Sequence, residues 1–275
     1  MRFCRTLRYD IRECIFKNKR FLLIPPVFCL QCFWTKSLIF NIDSALNGTY
    51  LDYLFSAFLG DDPIFGERGV DIPVYWVFHF FLSAFITTGL VQRDLGGFGQ
   101  QVIIREKSRK QWWLSKCVTL AISGFVYVLI ADLSVLIFCL FNRVKISLHT
   151  SEQVMESLLE SDTFLMKVPL VTDSPLSIAA IFMMPALVII TLNAVQMLLS
   201  LIWEPVFSFL AVNCYVLLSV YISSPVAIGG YAMLCRSSLY MDGGLNPLQG
   251  AGLCLAVTAA AFLAGGLIFQ RKDII

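Results

Sequence analysis

Two ionisable side chains lie inside apolar runs: His79 in Tyr75-Trp76-Val77-Phe78-His79-Phe80-Phe81, and Asp132 in Ile130-Ala131-Asp132-Leu133. An imidazole and a carboxylate at one depth in a low-dielectric interior could relay a proton or hold a polar group of a substrate. The competing structural reading is a hydrogen-bonded interior pair, or a protonated Asp132 facing a loop. Asn193 and Gln196 share one helical face, and such side chains join helices more often than they bind cargo. A third candidate is polar and extramembranous. The stretch Arg105-Glu106-Lys107-Ser108-Arg109-Lys110-Gln111-Trp112-Trp113-Leu114-Ser115-Lys116 carries six ionisable residues and two adjacent tryptophans between long apolar runs.

Several chemistries have no residues to run on. The chain has no G-x-x-x-x-G-K-[ST] loop to cradle phosphates, no H-E-x-x-H and no G-x-S-x-G. Its nine cysteines are scattered, with no C-x-x-C beside histidines, and read as small hydrophobes rather than metal ligands or disulfides. Cys235 alone falls in a connection assigned to the outside. Catalytic residues and metal ligands are therefore expected to be absent, and the chain is read as a non-enzyme.

The elements that must position these residues follow from composition. Of 275 residues, 57% are hydrophobic and 15% charged, against roughly 45–50% and 25% in soluble domains. The excess points to the bilayer as solvent. Six stretches reach the roughly 20 residues a spanning helix needs: 21–40, 72–92, 114–141, 177–203, 206–224 and 248–269. On these bounds Asp132 lies about nine residues, roughly 14 Å, from the outer end of the third span. His79 lies at a similar depth in the second, so the two could meet.

Lysine and arginine set the orientation. Residues 1–20, 93–116 and the C-terminus hold 15 of the 21, so the positive-inside rule puts both termini and the 93–116 connection in the cytoplasm. Trp112-Trp113 are expected at the water–lipid boundary, with Lys116 snorkelling to the headgroups. In segment 1–20, Phe3, Leu7, Ile11, Cys14 and Ile15 share a face amid basic residues, the pattern of an interfacial amphipathic helix on the inner leaflet. A plain basic tail is the alternative. Residues 151–160 read as a short amphipathic helix capping the outer face. Residues 225–247 are too apolar for a solvated loop and too broken for a span, which leaves a re-entrant pair of short helices or a surface loop. Asn47-Gly48-Thr49 is an acceptor tripeptide on the outer side, and Pro185 marks a kink. Gly252, Ala256, Ala260 and Ala264 form a small-residue ridge read as helix packing, within the chain or across a dimer.

Ser108-Arg109 and Lys116 flank Trp112-Trp113 just before the third span, and Phe269-Gln270-Arg271-Lys272-Asp273-Ile274 follows the sixth. In that order and topology they resemble the membrane-spanning permease subunits of type-2 ABC transporters, over the whole chain. The start of the connection departs from the pattern, with Arg93-Asp94 and Gly96-Gly97 where an acidic residue and Gly-Thr are common. The resemblance implies a cytoplasmic coupling helix between spans two and three. Asp94, Leu95, Gly96, Gly97, Phe98, Gln101, Arg105, Ser108 and Arg109 would then contact a separate ABC ATPase. It also implies a re-entrant element before the last span.

The expectation is thus an all-α integral membrane protein with an interfacial helix at 1–20 and a six-span domain over 21–275. It would sit as a multi-pass protein in a plasma membrane of bacterial type. It would export an amphipathic or hydrophobic substrate such as a peptide, lipid or drug. ATP and Mg2+ would be bound by the ATPase and no cofactor by this chain. A second copy or a paralogue, and the lipid bilayer, complete the partners, with no nucleic acid among them. A secondary transporter or an intramembrane enzyme using His79 and Asp132 is the alternative. Two similar halves and charged midplane groups would mark the former, and neither is evident.

Overall fold

The computed structural model describes residues 2–42, 46–61, 72–95, 109–159, 174–240 and 243–271. Among them the chain is helical, with two isolated bridges and no strand. The helices are α1 (Arg2–Ile11), α2 (Ile24–Ile42), α3 (Tyr50–Ala57), α4 (Val74–Thr87), α5 (Leu90–Leu95), α6 (Arg109–Phe141), α7 (Glu152–Leu159), α8 (Pro175–Leu199), α9 (Pro205–Tyr221) and α10 (Pro247–Arg271). Five helical stretches are long and apolar enough to cross a membrane: Phe3–Asn41, Val74–Gln92, Arg109–Phe141, Pro175–Leu199 and Pro247–Arg271. Pro205–Tyr221 is also apolar but has 17 residues. Leu30, Phe33, Phe40, Leu129, Leu140, Leu255 and Leu263 stand exposed on α2, α6 and α10. In water that coat would be unfavourable; it suits a lipid surround.

Local chemistry sets the starts. Ser174 accepts from Ser177 N at 3.0 Å ahead of Pro175, and Pro205 opens α9 after the short turn from α8; proline fits a first helical position because no N–H partner exists there. Thr49 and Asp52 form a reciprocal capping box at α3. The α8 helix is the hub, packed against α4, α6, α9 and α10. Pro185 lies inside it, and Thr191 ties it to α10 through Thr258 Oγ1 (3.0 Å) and the Cys254 carbonyl (3.2 Å).

The segment before α10 is not a surface loop. It folds as two 3-10 turns, Ile228–Ala232 and Leu234–Arg236, buried throughout. Irregular backbone away from water needs partners, and it has them. Leu234 N and Cys235 N donate to the Phe58 and Leu59 carbonyls, and Trp76 Nε1 donates to the Ala232 carbonyl. The buried Arg236 guanidinium donates to the Ser219 and Val220 carbonyls at the end of α9 and to the Asp61 carbonyl. A second satisfied corner joins α3 to the stretch before α7. Asp52 accepts from Thr49 N (2.8 Å) and Ser151 N (3.0 Å). Burial raises its carboxyl to about 6, against the lowering effect of those N–H groups.

The structure refines two of these readings. The 72–92 stretch is not one helix but α4 and α5, broken at Thr88-Gly89 with Gly89 at φ 73°. The small-residue ridge is not a contact between helices of this chain: Gly252, Ala256 and Ala260 are exposed among the described residues. Cys235, in the connection assigned to the outside, is buried in the second 3-10 turn.

Candidate functional site

No direct hydrogen bond joins His79 to Asp132. His79 on α4 is fully buried, stacked on Phe28 (centroids 4.1 Å, interplanar angle 8°) with Phe58 tilted beside it. Tyr127 donates to its backbone carbonyl at 2.9 Å, and neither ring nitrogen has a hydrogen-bond partner among the described residues. Asp132 on α6 is half-buried, with no hydrogen bond or ion pair to His79. Its electrostatic effect falls on Tyr50, whose phenol is raised chiefly by burial and then by Asp132 and Cys139. Asn193 and Gln196 reach α4: Asn193 Nδ2 donates to Ser83 Oγ (2.9 Å), and Gln196 Nε2 to the Ala84 carbonyl (3.1 Å) and Thr88 Oγ1 (2.9 Å). Among the described residues no three His, Cys, Asp or Glu side chains group to hold a metal ion.

The more organised place is the basic end of the bundle, where α5 leaves and α6 returns. The break at Thr88-Gly89 frees carbonyls of α4, and side chains take them. Arg20 donates to Phe85 O (2.7 Å) and Thr88 O (3.4 Å) and lies over the Phe85 ring, and Asn18 donates to Ile86 O (3.3 Å). Gln196 and Thr88 Oγ1 share the Ala84 carbonyl. One turn on, Gln92 Nε2 caps the end of α8 at the Ser200 and Trp203 carbonyls (2.9 and 3.2 Å). The chain therefore leaves the bundle through a helix end braced from α8 and from the residues before α2.

Its return is braced from two other sides. Trp112 and Trp113 are buried against the protein rather than exposed to headgroups. Both stack on the fully buried Phe269 of α10, with centroids 4.7 and 5.9 Å apart, and Trp113 Nε1 donates to the Phe262 carbonyl at 2.8 Å. Gly265 makes room, because a Cβ there would collide with the Trp113 ring. Arg109 donates to the Gln270 carbonyl at 3.1 Å. The two stretches that carry the permease resemblance thus meet in space.

Lys116 does not snorkel. It is fully buried and paired with Asp10 of α1 at 2.7 Å, while Ser115 Oγ donates to the other Asp10 oxygen at 2.5 Å and the Trp112 ring lies 5.2 Å from the ammonium. A buried ammonium without a counter-charge would cost several kcal/mol, so this pair, not the headgroups, decides where Lys116 points. The α1 helix accordingly packs on α6 through Thr6 and Asp10 as well as carrying an exposed basic face. Asp10 is the residue that sequence reasoning missed. Its only signal is the single acid within α1, one helical turn beyond Thr6 on the same face.

Of the expected ATPase contacts, Gly96, Gly97, Phe98, Gln101, Arg105 and Ser108 lie outside the described residues. Asp94 and Leu95 are described by backbone alone, as the last residues of α5. Arg109 opens α6, held at the Gln270 carbonyl.

No curated protein and no solved structure matches the chain. A family model described as "Protein of unknown function (DUF2705)" matches residues 27–275, nearly the whole length. The chain belongs to that family.

Proposed function

We propose that this chain is the permease subunit of an ATP-driven ABC transporter whose ATPase is a separate polypeptide. Six spans are then α2, α4, α6, α8, α9 and α10. The α9 helix, with 17 residues, measures about 26 Å at 1.5 Å per residue, close to the roughly 30 Å of hydrocarbon. The concentration of 15 of the 21 Lys and Arg residues in segments 1–20, 93–116 and the C-terminus supports a cytoplasmic location for all three, in a multi-pass bacterial membrane protein. ATP and Mg2+ belong to the partner, and a second permease copy or a paralogue completes the assembly.

The observation that carries the reading is the meeting of Arg109–Lys116 with Phe262–Arg271 beside the ends of residues 96–108. A docking segment can transmit force only if its two roots are stiff. Here one root is held by Gln92, Gln196 and Arg20, and the other by Phe269 and the Asp10–Lys116 pair. Closure of an ATPase against the segment would then move α4 and α6 rather than deform them. The exposed, phenylalanine-rich exterior favours an amphipathic or hydrophobic cargo moved outward. The lack of a direct hydrogen bond between His79 and Asp132 speaks against a charge relay between them.

Co-purification from native membranes tests this. Wild-type chain should bring down a protein bearing a phosphate-binding Walker loop. Replacement of residues 94–105 by Gly/Ser should abolish that association while the protein still inserts and keeps its thermal transition. Equal recovery of the ATPase by both forms, or by neither, overturns the reading.

A further inference from the structure

The exposed face of α1 has a composition the bundle does not explain. Cys4, Leu7, Arg8, Ile11, Arg12 and Phe16 line a groove of about 480 Å³ on the side away from Asp10. Arg5, Arg8 and Arg12 are exposed and make no hydrogen bond or ion pair among the described residues. The two acids of the segment are occupied elsewhere, Asp10 on buried Lys116 and Glu13 on Lys17. The groove is therefore cationic along one rim and apolar along its floor. Phe16 at its end is 82% exposed, and further along the chain Leu22 (73%) and Leu30 (63%) are exposed as well.

We propose that this groove is a binding site for a phospholipid with an anionic headgroup, its phosphate between Arg8 and Arg12 and an acyl chain running over Leu7, Ile11 and Phe16 toward Leu22. The site rests on the cytoplasmic orientation proposed for the basic end, which sets α1 at the inner leaflet. Two arginines one helical turn apart can both donate to one phosphate, a charge-assisted contact that a zwitterionic lipid offers with less net attraction. An acidic protein surface would satisfy the arginines too. It would leave Phe16 and Leu22 facing a polar partner, whereas an acyl chain covers them. The turn of π-helix at Arg12–Phe16 moves Phe16 onto this face, because its wider hydrogen-bonded turn shifts the helical register of the residues it contains.

The test uses full-length protein in nanodiscs of equal phosphatidylglycerol and phosphatidylcholine, released into detergent and weighed by native mass spectrometry. Wild type should retain phosphatidylglycerol over phosphatidylcholine. The double variant Arg8→Gln/Arg12→Gln should lose that preference by about 10- to 30-fold, as expected for two basic side chains near an anionic surface. Arg8→Lys/Arg12→Lys should keep most of it, and Lys145→Gln at the far end should keep all of it. Equal retention of the two lipids by wild type, or undiminished preference in the glutamine variant, overturns the proposal. Displacement by inorganic phosphate alone would also overturn it, since a free phosphate site needs no acyl chain. The readout is separate from ATPase recovery, so a lost lipid preference with the ATPase still bound, or the reverse, assigns the failure to one reading.

Discussion

The two ends of the bundle each bury a carboxylate, and they do so by opposite means. At the basic end Asp10 faces the Lys116 ammonium and the Ser115 hydroxyl, brought together from positions 106 and 105 residues apart in the chain. At the other end Asp52 has no cation paired with it among the described residues and relies on the N–H groups of Thr49 and Ser151. The first arrangement joins two elements through a charge that neither can lose without exposing the other. The second tethers two loops through a carboxylate that burial makes easy to protonate. The basic end is thus held by a charge pair, as the proposed docking role requires, and the far end is built from turns and caps whose hold is expected to vary with pH.

Breaking the ion pair should have the largest effect. Asp10→Ala leaves Lys116 buried without its partner and should cost about 3–5 kcal/mol of unfolding free energy in detergent. Asp10→Leu/Lys116→Met, which removes both charges, should recover most of that loss. If the double variant is no more stable than Asp10→Ala, the pair is not what fixes α1 on α6.

The far end should respond to pH in the sense opposite to an ordinary salt-bridged acid. The folded-state pKa of Asp52 is raised from 3.8 to about 6, so the folded state holds the proton more tightly than the unfolded chain. Its contribution is full below the unfolded value and is lost as pH rises through about 6, a change of about 3 kcal/mol over that window. Asp52→Asn should flatten that slope. The check is a denaturation series at pH 4 to 8 on both proteins, and an unchanged slope in the variant would assign the pH dependence to another group.

Between the ends lies a buried polar group served by neither device. A neutral imidazole always carries one N–H, and His79 has no partner for it among the described residues. His79→Phe keeps the stack on Phe28 without the polar atoms and should stabilise the fold by about 1–2 kcal/mol, measured by denaturation in detergent. A loss of stability instead would mean that the ring nitrogens are engaged in the native protein.

Much of this contrast is hidden in the sequence, for physical reasons. Spans are legible because apolar length is a local property, and the crowding of Lys and Arg on alternate connections is visible by counting. The capping box at Thr49 and Asp52 sits within four residues, yet the second hold on Asp52 comes from Ser151, 99 residues away. Lys116 misleads for the same reason. Beside Trp112-Trp113 at a span boundary it looks like an interface anchor, and only the folded chain brings Asp10 to it. Phe269 and Arg109 are visible as motif residues, but their joining of one helix to the other comes from the adjacency of α6 and α10. The break at Thr88-Gly89 has one signal, a glycine after two threonines, too weak to end a helix inside an apolar run.

Whether residues 96–108 dock a motor is decided most directly by a photocrosslinker. Benzoylphenylalanine placed at Phe98 should, on irradiation of native membranes, yield a covalent adduct whose partner contains a Walker phosphate loop. The same probe at Leu148, exposed at the opposite end, should not. An adduct with that partner at both positions, or at neither, would contradict the docking role.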